Sequence, residues 1–352
     1  MLLVFLPISV LLSRMHGVNS LWVFVAAALA IIPLAGLMGQ ATEELALHLG
    51  STWGGLLNAT FGNATELIIG LIALHSGYIQ LVQASIIGSI IGNLLLVLGA
   101  SILAGGLRHK IQTFNRDQAE MHAINLILAS LSLALPAIFA ISFHRASTPD
   151  HPDPNVMTLS VCVSAILLII YIASLFFSLR THESLFQFDN NCDPSEKPSW
   201  SKLSGFVVLA AATILVAGES DILVASVKGT VAALNINQAF IGIIIVAVIG
   251  NAAEHSTSIA LALKNKMDVT MNIAIGSSTQ VAMFVAPLLV FGSLLLHHPM
   301  TFIFSVPELT AITFSVVITA FIAGDGRCHW LEGAQLLAAY AIIALCFYFL
   351  PF

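Results

Sequence analysis

The chain has 352 residues, of which 58% are hydrophobic and only 9% are charged, and its formal net charge is −6. Soluble domains carry about 25% charged residues, so this composition excludes a water-soluble globular protein. Because no basic cluster is present to bind phosphates, it also excludes a nucleic acid partner. The composition predicts an all-α integral membrane protein surrounded by lipid, with room for about eleven helices of about 20 residues each.

Hydropathy and helix breakers divide the chain into eleven apolar segments, which we predict to be transmembrane helices. The first covers residues 2–14 and lacks the basic region and cleavage site of a signal peptide. Five follow at 21–47, 53–75, 79–103, 119–143 and 156–179, and five more at 204–226, 239–263, 271–296, 307–322 and 331–350. Between the two sets, residues 182–200 contain four acidic residues and two prolines, which predict an exposed linker.

Single residues in these segments have simple structural interpretations. The four cysteines form no CxxC pair, so we predict apolar packing residues rather than a zinc site or a disulfide framework; they are Cys162, Cys192, Cys328 and Cys346. Glu308, directly after Pro307, is interpreted as an acid at the N-terminus of a helix, where the helix dipole stabilises it.

The distribution of lysine and arginine predicts the orientation. With eleven helices and a cytoplasmic N-terminus, nine basic residues lie in cytoplasmic loops and three on the opposite side. The nine are Arg108, Lys110, Arg116, Arg180, Lys197, Lys202, Lys264, Lys266 and Arg327, and the three are Arg14, Arg145 and Lys228. We therefore predict a multi-pass membrane protein with its N-terminus and the linker in the cytoplasm.

An internal repeat organises the chain. The sequence GNATE at 62–66 returns as GNAAE at 250–254, an offset of 188 positions, and the same offset places the Gly-Ser pair at 88–89 on the pair at 276–277. With five helices per half, an odd number, the second copy enters the membrane from the opposite side, which predicts an inverted repeat. The predicted domains are a first helix (1–17), a first five-helix repeat (18–181), an acidic cytoplasmic linker (182–200) and a second five-helix repeat (201–352).

The repeated motif predicts a cation site. The glycines allow a helix to break at membrane depth, and the Asn and Glu three residues apart then share one helical face. Asn63, Glu66, Asn251 and Glu254 would therefore supply carboxylate and amide oxygens, the ligands that suit Ca²⁺. Two carboxylates that face each other in a poorly solvated cavity repel and resist ionisation, so protons would compete with the cation for the same oxygens. The alternative is that both glutamates are neutral and only hold helices together.

Other polar residues have two open interpretations. Ser89, Asn93, Ser277 and Gln280 lie on the second helix of each motif and either line the same cavity or pack helices together. Glu43 and Glu219, each in the helix before its motif, either guard the cavity entrances or lie at the membrane interface.

These motifs resemble a known family. GNATELIIGLIAL and GNAAEHSTSIALALKNKMD, with GSIIGNLLLVLG and GSSTQVAMFVAP, are similar to the paired motifs of the cation/proton exchangers (CAX), the Ca²⁺/H⁺ antiporter branch of the calcium/cation antiporter superfamily. The resemblance covers nearly the whole chain and implies the sodium/calcium exchanger-like fold, one helix followed by two inverted five-helix repeats. It implies that Glu66 and Glu254 bind both cation and proton and that Asn63 and Asn251 are their partners, with Glu43, Glu219, Ser89, Asn93, Ser277 and Gln280 in supporting roles.

The function that we expect is antiport, with Ca²⁺ exported from the cytoplasm in exchange for H⁺ by alternating access. No cofactor is expected beyond the transported ions. The short chain is similar to bacterial members, which favours the cell membrane, and the oligomeric state, including a homo-oligomer, is left open. Alternatives are coupling to Na⁺ or K⁺, Mn²⁺/H⁺ exchange and a passive channel. An intramembrane enzyme would need a nucleophile–base set or HExxH, and the sequence contains neither.

Overall fold

Helices dominate the computed structural model, which describes residues 2–143, 153–182 and 198–350. We number the helices in chain order. They are α1 (Leu2–Arg14), α2 (Ser20–Leu49), α3 (Trp53–Phe61), α4 (Ala64–His75), α5 (Ile79–Arg108), α6 (Arg116–Ser142), α7 (Pro154–Thr181), α8 (Lys202–Leu234), α9 (Gln238–Gly250), α10 (Ala252–Leu263), α11 (Met267–Leu295), α12 (Val306–Asp325) and α13 (Trp330–Tyr348). Two short strands, β1 (Gln112–Thr113) and β2 (Arg327–Cys328), pair antiparallel.

Short polar side chains begin many of these helices. A side-chain oxygen of the preceding residue accepts a hydrogen bond from a backbone amide of the first turn at α2, α6, α7, α8 and α9; the capping residues are Asn19, Asn115, Asp153, Ser201 and Asn237. At α12, Glu308 accepts hydrogen bonds from the backbone amide and the hydroxyl of Ser305, both at 2.7 Å. The predicted position of Glu308 at a helix N-terminus is confirmed.

The described residues form an all-α multi-pass membrane protein, as predicted. Eight helices are individually long and apolar enough to cross a membrane, and the bent pairs α3–α4 and α9–α10 meet the same criteria jointly. Because α1 is a shorter apolar helix, the total of eleven spans stays a prediction. The domain boundaries also stay a prediction, and residues 183–197 of the linker lie outside the described residues.

The two halves of the chain pack across each other. The first helix of each half, α2 and α8, lie along one another, while α4 contacts α8 and α10 contacts α2. At the centre are α5 and α11, whose most apolar stretches are 83% and 78% buried, more than in any other long helix of the described residues. The polar positions 89, 93, 277 and 280 lie on these two central helices, so the fold brings them to the middle of the molecule.

Loops at one end of the helix bundle are tied together. Gln112 of β1 pairs with Cys328 of β2, which joins the α5–α6 loop to the α12–α13 loop. The Gln112 side-chain amide also donates to the backbone oxygen of Ala262 at 2.9 Å, and the backbone amide of Asn115 donates to the Asp268 carboxylate at 2.5 Å. The α10–α11 loop therefore belongs to the same tied group.

Helix α13 approaches α5 through Gly333. A Cβ atom at this position would lie 2.3 Å from the backbone nitrogen of Leu103, which is far inside van der Waals contact, so Gly333→Ala has to shift one of the helices. We expect it to lower the free energy of unfolding by about 1–3 kcal/mol, the usual cost of overpacking. Thermal unfolding of the purified protein in detergent measures this change.

The matched control is Gly324→Ala in α12, because a Cβ there meets no atom within 4 Å. Both substitutions gain the same helix propensity, so only the steric difference remains. Equal unfolding temperatures for the two variants would contradict close packing at Gly333.

Candidate cation site

Two broken helices carry the repeated motif. Helices α3 and α4 are bent by 41° at their break, and α9 and α10 by 62°. The residue between the helices is an asparagine in each case, with φ and ψ of −106° and 22° at Asn63 and of −98° and 7° at Asn251. Each break exposes the N-terminus of a new helix, whose unpaired amides and dipole favour negative charge. The predicted breaks are therefore present, one residue after each motif glycine.

The motif glutamates lie in the first turns of α4 and α10. The Glu66 carboxylate reaches the opposite break, because a Cβ on Gly250 would lie 3.5 Å from its Oε1 atom. Glu254 lies beside Ser277 and close enough to Glu66 for the two carboxylates to interact electrostatically. The structure thus brings together the carboxylates that the sequence predicts, one from each half of the chain.

Hydrogen bonds connect the motif asparagines to the central helices in a symmetric pattern. Ser277 on α11 donates to the Oδ1 atom of Asn63 at 3.2 Å, and the Nδ2 atom of Asn251 donates to Ser89 on α5 at 3.2 Å. The offset of 188 relates both the asparagines and the serines. Each half therefore supplies the asparagine of one pair and the serine of the other.

Two further amides break this symmetry. Asn93 donates to the Ser277 hydroxyl at 3.1 Å, and Asn63 donates to the Oε1 atom of Gln280 at 2.5 Å. In the other half, Asn93 corresponds to Val281 and Gln280 corresponds to Gly92, and neither of these residues has a side chain that can form a hydrogen bond. A directed relay therefore runs from Asn93 through Ser277 and Asn63 to Gln280, and it occupies both amide atoms of Asn63.

Three buried oxygens lack a hydrogen-bond partner among the described residues around this centre. They are the Oε2 atoms of Glu66 and Glu254 and the Oδ1 atom of Asn251. The orientation of the Asn251 amide is fixed by chemistry, because its Nδ2 atom donates at 2.9 Å to the backbone oxygen of Ala247, which can only accept. Buried polar atoms normally have partners, so three orphaned oxygens at one centre indicate a site that a cation or a proton completes.

The donor set suits a hard cation. Within residues 2–143, 153–182 and 198–350, no group of three or more His, Cys, Asp or Glu side chains is arranged to hold a metal ion. The two carboxylates and the Asn251 amide would therefore share a cation with backbone oxygens and water. Ca²⁺ accepts such mixed oxygen shells of about 6–8 ligands with flexible geometry.

A cavity of about 470 Å³ reaches the centre from one side. It extends from Glu254 and Ser277 to Gln40 and Glu43 near the C-terminal end of α2. On the other side of the centre, Glu66, Ser89 and Val246 line a cavity of only about 10 Å³. The repeat relates Glu66 to Glu254 and Ser89 to Ser277, so one passage is open and its equivalent is shut.

The predicted supporting residues have different locations. Ser277 and Gln280 line the open cavity with Glu43, while Ser89 lines the shut one. Asn93 is buried in the relay. Glu219 lines neither cavity; it is 2% exposed and accepts a hydrogen bond from Ser9 of α1 at 2.8 Å. The structure therefore does not place Glu219 at an entrance.

Two polar residues of the open passage were not predicted from the sequence. Asn58 and Asn272 line the cavity of about 470 Å³ and also a second cavity of about 200 Å³ between α3, α6, α7 and α11. Their signal was an amide inside an apolar segment, the same signal that marked Asn93. Neither belongs to the repeated motif, because their equivalents in the other half are Val246 and Ala84.

Comparisons with known proteins point to a family of exchangers. The family described as "Sodium/calcium exchanger protein" matches residues 19–180 and 204–349. A relative from Aphanothece halophytica, named "Ca(2+)/H(+) antiporter", is 44% identical over 99% of this chain and 96% of its own. The "Ca(2+)/H(+) antiporter ChaA" of Bacillus subtilis (strain 168) is 43% identical over 98% of this chain and 96% of its own. The solved structure of native YfkE superposes with a TM-score of 0.85 at 39% identity, over 99% of this chain and 100% of that one.

Gln280 holds Asn63 in place, and its loss has a measurable cost. In Gln280→Leu the Nδ2 atom of the buried Asn63 keeps no acceptor, so we expect the free energy of unfolding to fall by about 1–3 kcal/mol. The control is Gln40→Leu, which removes an amide from the wall of the same cavity but not from the relay. Thermal unfolding in detergent compares them, and equal unfolding temperatures would show that the relay does not stabilise the site.

Proposed function

Because this chain belongs to the sodium/calcium exchanger protein family, we propose that it is a secondary antiporter that exports Ca²⁺ from the cytoplasm in exchange for H⁺. The chain is a transporter and not an enzyme. Two relatives that it matches along nearly their whole length are named Ca²⁺/H⁺ antiporters. The transported ions are the substrates, and the proposed cycle uses no further cofactor.

The observation that carries this proposal is the group of buried, unsatisfied oxygens where the two broken helices meet. Glu66 and Glu254 contribute charge, and Asn251 contributes a neutral amide oxygen. A divalent cation balances two carboxylates, and the helix N-termini at the two breaks stabilise the same carboxylates when the cation leaves. Within the membrane such groups need compensation, since a charged side chain at the helix centre costs about 2.5–3.5 kcal/mol on the insertion scale.

Exchange follows from competition for the same atoms. A proton on either carboxylate removes the charge that attracts the cation, and a bound cation occupies the lone pairs that a proton would take. Ca²⁺ and H⁺ therefore cannot both occupy Glu66 and Glu254 in full. In each transition that moves access from one side of the membrane to the other, the site therefore carries either Ca²⁺ or H⁺ and excludes the other ion.

Alternating access is supported by the unequal passages. The open cavity of about 470 Å³ and the shut one of about 10 Å³ are equivalents under the repeat, so exchanging the conformations of the two halves exchanges the open side. The open cavity ends near the C-terminus of α2, on the side to which the lysine and arginine count assigns the cytoplasm. This conformation therefore loads Ca²⁺ from the cytoplasm. We place the protein in the cell membrane with a cytoplasmic N-terminus.

Transport into proteoliposomes tests the shared site. We expect Ca²⁺ uptake to follow an imposed pH gradient in the native protein and to fall to background in both Glu66→Gln and Glu254→Gln, which keep the shape of the side chain but remove its charge. The control is Glu44→Gln, because this glutamate at the end of α2 bonds the backbone amide of Ser199 and lies outside the cavity. Its uptake should equal that of the native protein.

Other outcomes would reject specific parts of the proposal. Uptake that ignores the pH gradient but follows a Na⁺ or K⁺ gradient would replace the coupling ion. Uptake that survives both glutamine substitutions would show that Glu66 and Glu254 are not the shared carriers.

A further inference from the structure

The open and shut passages differ in chemistry as well as in width. Under the offset of 188, Asn58 of the open passage corresponds to Val246 of the shut one, and Asn272 corresponds to Ala84. Both amides thus have apolar equivalents in the other half of the chain, whereas Ser85 of the shut passage corresponds to Ile273 of the open one. The inverted repeat therefore allows the residues of the two passages to be compared position by position.

The shut passage is narrowed by a close contact between α5 and α9. A Cβ on Gly88 would lie 2.2 Å from the backbone oxygen of Ile243, and a Cβ on Gly242 would lie 2.6 Å from the Cβ of Ala84. Ala84 is 0% exposed and Val246 is 3% exposed. The two helices touch here through glycines and small side chains. The hydroxyl of Ser85, which also lines the small cavity, donates to the backbone oxygen of Val82 in its own helix at 2.9 Å and so needs no water.

The equivalent contact, between α3 and α11, is not made. Asn58 is exposed and Asn272 is partly exposed, and both line the two cavities that separate these helices. Helix α3 instead packs against the end of α7, where a Cβ on Gly55 would lie 2.6 Å from Leu179. Gly276, the equivalent of Gly88, would meet only the Asn272 side chain of its own helix, at 3.3 Å. In this conformation a Cβ at position 276 therefore needs only a small shift of the Asn272 side chain.

We call the pair Asn58 and Asn272, and the equivalent pair Val246 and Ala84, the gates of the two passages. The polarity of these residues favours an open, hydrated gate at Asn58 and Asn272 and a closed gate at Val246 and Ala84. Closing an apolar gate removes apolar surface from water, which is favourable. Closing the Asn58–Asn272 gate removes two amides from water, and each then needs a new hydrogen-bond partner. The same motion is therefore easier at Val246 and Ala84 than at Asn58 and Asn272.

We propose that Asn58 and Asn272 form a polar gate that holds the cytoplasmic passage open at rest, and that Gly276 is the contact point at which α3 meets α11 when this gate shuts. The inference rests on the alternating access of the proposed function. It adds the identity of the residues that favour the conformation in which the site is open toward the cytoplasm.

A cysteine reporter measures how open the passage is. Ser256 on α10 is exposed and lines the open cavity, so Ser256→Cys reports access from this side. The measurement is the rate of its modification by a membrane-impermeant thiol reagent, in detergent without Ca²⁺, above the rate of the parent chain. In the double variant Asn58→Val with Asn272→Ala, which copies the shut gate, we expect this rate to fall by about tenfold as the population moves to the other state.

The control is Asn125→Leu, which removes an amide from the α6 wall of the second cavity but not from the gate. Its reporter rate should equal that of the native gate. An unchanged or higher rate in the double variant would overturn the inference, and so would an equal fall in the double variant and the control.

Gly276→Ala tests the shut state independently. Because a single Cβ at position 276 meets no second helix in this conformation and needs only a small shift of the Asn272 amide, we expect the reporter rate to stay native while exchange in proteoliposomes is lost. Retained exchange would overturn the role of Gly276. The reporter rates require no transport. If the double variant lowers the rate but the native protein shows no Ca²⁺/H⁺ exchange, the proposed function is rejected and the gate is retained. If exchange is normal but the rates do not change, the gate alone is rejected.

Discussion

Glu66 and Glu254 interact across the meeting point of two broken helices, and much of the architecture follows from the need to accommodate them. Continuous helices would leave no amide groups or dipoles directed at two carboxylates in the centre of an apolar bundle. The breaks supply these, and the Glu66 carboxylate reaches Gly250 in the opposite half of the chain. Each carboxylate still keeps one oxygen without a partner in the described residues, and the proposed function assigns these two oxygens to the transported ions.

Symmetry gives the site its parts, and departures from symmetry give them different roles. The two motif asparagines and two serines form equivalent pairs, but Asn93 and Gln280 occur in one half only. They tie Asn63 into a relay in which both of its amide atoms are used, while Asn251 keeps an oxygen for the ion. Asn63 is therefore fully hydrogen-bonded at its break, whereas Asn251 has the oxygen that the proposed function assigns to the cation, although the sequence motif presents the two as equals.

The sequence predicts the parts of this protein that depend on local pattern. Apolar length predicts the long helices, and a matched offset of 188 predicts that Glu66 and Glu254 meet, because equivalent positions of an inverted repeat converge at its interface. Contacts between distant helices could not be predicted in this way. The bond between Asn63 and Gln280 spans 217 positions at unmatched repeat sites, and the contact between Ser9 and Glu219 depends on where α1 packs. Which passage is open could not be predicted either, because Asn58 and Asn272 lie outside the repeated motif and the sequence does not show which helices they face.

The short strand pair has a consequence for how the halves can move. Through Gln112 and Asn115 it fastens the loops that precede α6, α11 and α13 to one another at one end of the bundle. The N-terminal end of α11 is thus held by the tied loops. Helix α3, in contrast, connects to α2 through Gly50, which has a φ of 80° and can serve as a pivot. Among the helices that line the open cavity, α11 is therefore held at its N-terminal end, whereas α3 follows a glycine about which the backbone can turn. A rotation of α3 about Gly50, with α11 held in place by the tied loops, would change the width of the open cavity without moving its opposite wall.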